Sequence, residues 1–152
     1  MLERFHVPED VAIRVMPDNM MNTVKEIFIK MGMTEDDAVQ AADVLLYADV
    51  RGIETHGVSN MLRGYVKSFG EGGINPKPKI NTIREMGAVS TIDSDGGHGL
   101  VVGPYAMNIA IEKAKNFGIG SVTAMNGRHF GAAAYHAAMA LKHDTVSYTH
   151  LT

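Results

Sequence analysis

Apolar residues recur every three or four positions through the first half of the chain, which is the spacing of helices that bury one face. Thr34, followed by Asp37, resembles a capping box that opens the second of these helices. Ahead of them, Phe5 to Val15 alternate roughly between apolar and polar residues and predict an extended arm. We therefore predict three helices, from Pro17 to Gly32, from Thr34 to Arg51 and from about His56 to Phe69.

The hydrophobic period changes after the glycine- and proline-rich segment GEGGINPKPK, which we predict to be a domain boundary. The predicted elements beyond it are strands over 79–84, 88–93 and 119–125 and helices over 105–117 and 132–142, joined by glycine-rich turns. This order predicts an α/β (α+β) fold class. A helical N-terminal domain would cover 1–72, and the start of an α/β domain would cover 73–144.

The chain ends in TVSYTHLT, where an α/β unit would be expected to continue into a further element. This string resembles translated sequencing-adaptor sequence. We interpret 145–152 as a non-native tail on a truncated chain. The alternative is a short terminal strand.

Composition narrows the class of protein. A length of 152 residues suits one ordinary domain or a piece of a larger protein, and a hydrophobic fraction of 45% can supply a core. A net charge of −3 without a local run of lysine or arginine gives no surface for nucleic acid. The absence of cysteine excludes disulfides and thiolate chemistry. Because no apolar run approaches the ~20 residues that span a bilayer, we expect a soluble cytoplasmic protein with no membrane partner.

The turn RGIETHGVSN places His56 at the start of the third predicted helix, with Thr55 beside it. An imidazole titrates near neutrality, so it can both donate and accept a proton at working pH. Arg63 lies two turns along the same helical face, and its planar guanidinium suits a carboxylate. The alternative is that His56, Asn60, Arg63 and Lys67 form only the solvated face of an amphipathic helix.

The segment NGRHFGAAAYH places His129 in a glycine-flanked turn between a predicted strand and a predicted helix. Such turns carry function in many α/β proteins, although a surface histidine in a turn is the alternative. His136 and His143 follow at intervals of seven and would share one helical face. Two turns of helix separate them by ~10 Å along the axis, too far to ligate one metal. We therefore predict no metal site.

The glycine-rich segment DGGHGLVVG, between a strand and a helix, invites a dinucleotide-binding interpretation. The fingerprint G-x-G-x-x-G fails, because Gly97 and Gly99 fit but Val102 occupies the third position. The segment therefore does not predict an ordinary Rossmann phosphate loop.

Three stretches taken together resemble one family. They are AADVLLYADVRGIETHGV with the following MLRGYVKSFGEGGINP, then TIDSDGGHGLVVGPYAMNIAIEKAKNFGIG, and then VTAMNGRHFGAAAYHAAMAL. Each is weakly specific alone, but their order and spacing resemble the N-terminal half of the malate/L-lactate dehydrogenase family, which includes ureidoglycolate, sulfolactate and diketogulonate oxidoreductases. The resemblance implies a dimeric oxidoreductase that uses NAD or NADP and acts on 2-hydroxy or 2-oxo acids. It also implies a non-Rossmann nucleotide-binding domain with a largely antiparallel sheet.

The resemblance also implies site residues. The family's serine-histidine-glycine phrase falls on Thr55-His56-Gly57, and its asparagine-histidine-phenylalanine-glycine phrase falls on Arg128-His129-Phe130-Gly131. The two histidines, His56 and His129, are then implicated in proton transfer. The other expected contacts are Thr55, Asn60, Arg63 and Arg51 to the substrate and Phe130 and Gly131 to the cofactor. Many members carry arginine at the position of Asn60, which leaves Arg63 or a different substrate as the explanation.

Two other functions compete with the dehydrogenase. One is a catalytically inactive fragment that serves only as a folding or dimerisation module. The other is a metal-dependent hydrolase that would use His129 and His136. Because most cofactor-binding residues of the family would lie beyond Thr152, we expect this chain by itself to be inactive.

Overall fold

The structure is a computed structural model that describes residue 5 and residues 7–148. Its main elements are the helices α1 (Pro17–Lys30), α2 (Glu35–Val50), α3 (Val58–Gly70), α4 (Gly99–Phe117) and α5 (Ala133–Ala138) and the strands β1 (Asn81–Met86), β2 (Val89–Asp93) and β3 (Ser121–Met125). Short 3₁₀ turns cover Glu54–His56 and Leu141–His143. The predicted α/β (α+β) fold class is confirmed.

The first three helices form most of the hydrophobic core. Thr34 caps α2 as predicted, because its side chain accepts a hydrogen bond from the Asp37 N–H at 3.2 Å. Alanines on α2 let α1 and α4 approach closely, while Phe28 of α1 fills the centre and is 0% exposed. Residues of this core cluster are Val24, Phe28, Met33, Ala38, Ala41, Ala42, Val44, Leu45, Leu46, Tyr65 and Leu100.

The sheet has three strands in the order β1-β2-β3. The first pair is antiparallel, with an irregularity between Thr82 and Arg84, and the second pair is parallel. Helix α4 makes the crossover between the two parallel strands and packs on them, burying Ser90 and Ile92. Every residue of β1 and most of β3 remain exposed.

Several sequence-based boundaries were wrong, among them the start of β1, which is Asn81 rather than residue 79. Helix α4 begins at Gly99 rather than Tyr105, so part of the supposed glycine turn is helical. Helix α3 begins at Val58, because the 3₁₀ turn at His56 precedes it. Helix α5 ends at Ala138 instead of Lys142, so His136 and His143 do not share one α-helix.

Residues 7–16 and 144–148 lie outside the helices and strands. The predicted extended arm from Phe5 to Val15 is only partly extended, because 9–11 form a turn while 12–15 form no helix or strand; the side chain of Ile13 is 87% exposed. Residues 145–148 of the predicted tail form no helix or strand, and residues 149–152 lie outside the described part. The domain boundary at 72/73 stays a prediction. None of the helices in the described ranges combines the length and hydropathy needed to cross a membrane.

Candidate active site

The turn between α2 and α3 is shaped by Asp49. Its Oδ2 accepts a hydrogen bond of 2.9 Å from the Val58 N–H at the start of α3. A side chain at Gly57 would collide with the Asp49 carboxylate and would displace it from the Val58 N–H. Partial burial raises the pKa of Asp49, and the Val58 N–H opposes that shift. The turn Thr55-His56-Gly57 is therefore held against the end of α2.

His56 and His129 come together across the two parts of the molecule. Their rings stack with centroids 5.5 Å apart and an interplanar angle of 15°. Thr55 Oγ1 lies 2.8 Å from His56 Nδ1, which fixes the orientation of that ring. Two segments that lie far apart in the sequence thus supply two imidazoles to one surface, and either can donate or accept a proton there.

Tyr65 joins this pair and was missed at the sequence level, because it lies among the apolar residues of α3. Its hydroxyl lies 2.7 Å from His129 Nδ1. Burial raises the pKa of Tyr65 above its usual range, so the phenol stays protonated. Because a phenol can donate or accept, it can bind Nδ1 in either tautomer and leaves Nε2 as the reactive atom. A tyrosine within an apolar stripe was the available signal, since a buried hydroxyl usually has a partner.

His98 lies beneath this site, at the N-cap of α4. Its ring contacts Tyr65 edge-on with centroids 4.3 Å apart, and it also packs against Phe28 and Phe69. Its Nδ1 accepts a hydrogen bond from the Leu100 N–H at 3.3 Å. Burial lowers the pKa of His98 to about 3, so it is neutral at physiological pH. A neutral, buried imidazole therefore supports the ring of Tyr65.

The electrostatics of His129 favour its neutral form. Loss of water around part of its ring lowers its pKa, and the neighbouring His56 lowers it further. One side of His129 stays exposed to solvent, so a small molecule can reach it. A neutral imidazole at neutral pH can accept a proton from an alcohol, which is the requirement for a general base.

The expected substrate contacts are only partly assembled. Thr55 adjoins the pair, but Asn60 donates to the carbonyls of Glu54 and Phe5, at 2.7 and 3.3 Å. The guanidinium of Arg51 lies 3.6 Å from the ring centre of Tyr47 instead. Arg63 is exposed, and no hydrogen bond or ion pair links it to another residue in the described ranges. Arg63 is therefore free of a described partner, and no described contact brings it to His56 or His129.

The expected cofactor contacts, Phe130 and Gly131, follow His129 directly. Gly131 has a φ of +76°, and a side chain on it would approach Leu100 and Val44 to 2.6 and 3.0 Å. Its lack of a side chain thus serves packing against α2 and α4, which leaves its backbone as the accessible part. The side chain of Arg128 turns away and donates to the Gly73 carbonyl.

Metal binding finds no support in the described residues. No three side chains of histidine, aspartate or glutamate among them come together as a metal site. His136, the second ligand of the hydrolase alternative, is 1% exposed and directs its Nε2 to the Phe130 carbonyl at 2.7 Å. A separate open depression of about 540 Å³ lies along α4 and contains neither His56 nor His129.

Comparisons with known proteins give a consistent result. The sequence profile of the family described as malate/L-lactate dehydrogenase matches residues 15–151. The chain is 43% identical over 146 residues to malate dehydrogenase of Pyrococcus horikoshii, covering 96% of this chain and 40% of that protein. It is 40% identical over 133 residues to L-sulfolactate dehydrogenase of Methanocaldococcus jannaschii, covering 88% and 38%.

Solved structures of the same two relatives superimpose on this chain. The malate dehydrogenase structure from Pyrococcus horikoshii superimposes with a TM-score of 0.86 at 44% identity, covering 91% of this chain and 39% of that one. The sulfolactate dehydrogenase structure from Methanocaldococcus jannaschii gives 0.84 at 39% identity, covering 87% and 38%. The chain thus spans about two fifths of the length of these relatives.

Proposed function

Because the chain belongs to the malate/L-lactate dehydrogenase family, we propose that it supplies the proton-transfer residues of an oxidoreductase acting on a 2-hydroxy or 2-oxo acid. The stacked pair of His56 and His129 carries this proposal. Oxidation of a hydroxy acid requires a base at the hydroxyl, and the reverse reaction requires an acid at the carbonyl. Both roles fit an imidazole whose Nδ1 is held and whose other nitrogen faces the substrate.

His129 is the proposed acid/base, and Tyr65 is the proposed partner that keeps it correctly oriented. In the oxidation direction, neutral His129 takes the hydroxyl proton, while the Tyr65 hydroxyl, 2.7 Å from Nδ1, holds the ring in place. In the reduction direction, the imidazolium returns that proton to the developing alkoxide. His56 stands 5.5 Å away and, together with Thr55, binds the acid group of the substrate.

The relatives support the proposed substrate class. Both names, malate and sulfolactate dehydrogenase, refer to 2-hydroxy acids that carry a second acidic group. Arg63 would bind a carboxylate through its planar fork, because no described partner occupies it. Asn60 contributes through its remaining amide oxygen, and Arg51 would have to leave the Tyr47 ring before it could contact substrate.

A nicotinamide cofactor, NAD or NADP, would supply or accept the hydride. The donor set fits this chemistry, since the exposed side of His129 offers a proton acceptor beside Phe130 and Gly131, the proposed contact residues. The proposal concerns a protein of the relatives' length, as a homodimer in the cytoplasm. We expect the 152-residue chain alone to show no turnover.

The experiment compares His129→Ala, His56→Ala and the control His143→Ala in a version extended to the length of the relatives. General acid–base catalysis contributes about 10²–10⁴-fold, so His129→Ala should lower kcat by that factor. His56→Ala should act more strongly on KM for the acid. If His56→Ala abolishes kcat while His129→Ala does not, the two roles are exchanged. If neither variant changes activity more than about threefold, the histidines are not the acid/base machinery.

A further inference from the structure

His136 lies directly behind the turn that carries His129. It belongs to α5, is 1% exposed and brings its Nε2 within 2.7 Å of the Phe130 carbonyl oxygen. Its ring also stacks on the ring of Phe130, with centroids 4.8 Å apart and an interplanar angle of 8°. One side chain therefore holds both the backbone and the ring of the residue next to His129.

Helix α4 makes room for this imidazole. A side chain on Gly103 would collide with the ring atoms of His136. Gly99, one turn earlier, lies so close to the backbone of residues 128–130 that a side chain would collide with it as well. A glycine in a helix lowers stability relative to alanine. Gly99 and Gly103 are explained by the close approach of the 128–130 backbone and of the His136 ring. The turn is thus clamped between α4 and α5.

The groups around His136 determine which of its two ring nitrogens carries the proton. An acceptor faces Nε2, so Nε2 carries the proton and donates it to the Phe130 carbonyl. Nδ1 is buried and has no hydrogen-bond partner among the described residues, which leaves it as a lone pair rather than an N–H. Burial lowers the pKa of His136, in keeping with a neutral ring.

We propose that His136 is a positioning residue that holds the His129–Phe130 backbone, so that the imidazole of His129 meets Tyr65 and His56. The catalytic meaning of this role rests on the proposed function, but the positioning itself does not. His136 touches neither substrate nor reacting atoms in this role. It acts by fixing the carbonyl one residue after His129, and a displacement of about 1 Å at a catalytic group can cost about 100-fold in rate.

The first test uses the 152-residue chain and needs no activity. Nitrogen NMR of labelled histidines reports the tautomer and the titration of His129. In His136→Leu, which removes the donor, the Nδ1 signal of His129 should lose the signature of its bond to Tyr65. Its pKa should move upward, toward the ordinary value of about 6.5. His136→Gln keeps an N–H donor of similar reach and should restore both signals.

A second variant, in α4, disturbs the contact between His136 and Phe130 without changing His136 itself. Gly103→Ala favours the helix but displaces the His136 ring, so it should disturb His129 without removing any polar group. Gly70→Ala is the matched control, because a side chain at that helical position meets nothing within 4 Å. If His136→Leu fails to fold, Gly103→Ala and His136→Gln still decide the question.

Unchanged tautomer and titration of His129 in both His136→Leu and Gly103→Ala would overturn the proposal and leave His136 as a packing residue. Kinetics in the extended enzyme then separate the two claims. A fall in kcat of about 10–100-fold, with recovery in His136→Gln, is expected if positioning serves catalysis. If the NMR signals change but kcat does not, the positioning role stands and the proposed role of His129 in catalysis fails.

Discussion

The helical part of this chain buries more of its apolar residues than the sheet part does. Ten of the eleven residues of the core cluster come from 24–65, and only Leu100 comes from the second part. In the sheet, β1 is exposed along its whole length and Ile83 is 55% exposed. The helices therefore provide the rigid base of the site, while the sheet part brings His129 to it through α4 and the turn after β3.

The contact between the two parts is partly aromatic. The ring of His98 enters the helical core and packs against Phe28, Phe69 and Tyr65. Tyr65 then reaches His129 with its hydroxyl. The geometry of the candidate site thus depends on packing that both parts share, and changes on either side test it.

The largest expected effect is on stability in the helical part. Phe28→Ala removes a ring that is 0% exposed and should lower the free energy of unfolding by about 3–5 kcal/mol. Phe117→Ala, at a position 58% exposed in α4, should change it by less than about 0.5 kcal/mol. Urea unfolding measures both. Comparable losses for the two variants would mean that the two parts are equally well packed.

We expect low pH to weaken the contact that His98 makes between the sheet part and the helical part. An unfolded histidine titrates near 6.5, whereas His98 in the folded chain has a pKa of about 3. Between these values the unfolded state binds more protons, so the stability contributed by neutral His98 is complete above about pH 6.5 and is lost as pH falls toward 3. Unfolding free energies measured over this range should lose part of their slope in His98→Gln, but keep it in His143→Gln. An equal slope in all three proteins would show that His98 is not buried as described.

A smaller effect is expected from the hydroxyl that joins the two parts. Tyr65→Phe removes the bond to His129 Nδ1 and should cost about 1 kcal/mol of stability. The tautomer of His129 should change at the same time, as read by nitrogen NMR. Tyr47→Phe serves as the control, since its hydroxyl reaches only the Ala134 carbonyl, at 3.4 Å. An unaltered His129 signal in Tyr65→Phe would exclude the bond.

The spacing of apolar residues predicted those elements that are determined by the local pattern of side chains. The three N-terminal helices follow from apolar spacing, and the cap at Thr34 follows from a local hydrogen bond. The start of α4 could not be read in this way. Gly99 and Gly103 favour a turn by intrinsic preference, and they are helical here because α4 must approach the backbone of 128–130 and the ring of His136.

The candidate site was predictable only in part, for a similar reason. His56 and His129 stand out in glycine-flanked turns, and their separation in the sequence gave no distance between them. Tyr65 and His98 were hidden because an apolar stripe and a glycine-rich run each had an adequate local explanation. His136 was noticed only as a possible metal ligand, and its contact with Phe130 depends on the tertiary fold.

The central claim is that the two parts bring His56 and His129 into one proton-transfer site. The most direct measurement is the pKa of His129, obtained by NMR titration in the unaltered chain and in His56→Gln. Because His56 lowers the pKa of His129, His56→Gln should raise that pKa, while His143→Gln should leave it unchanged. An identical pKa of His129 with and without His56 would contradict the claim.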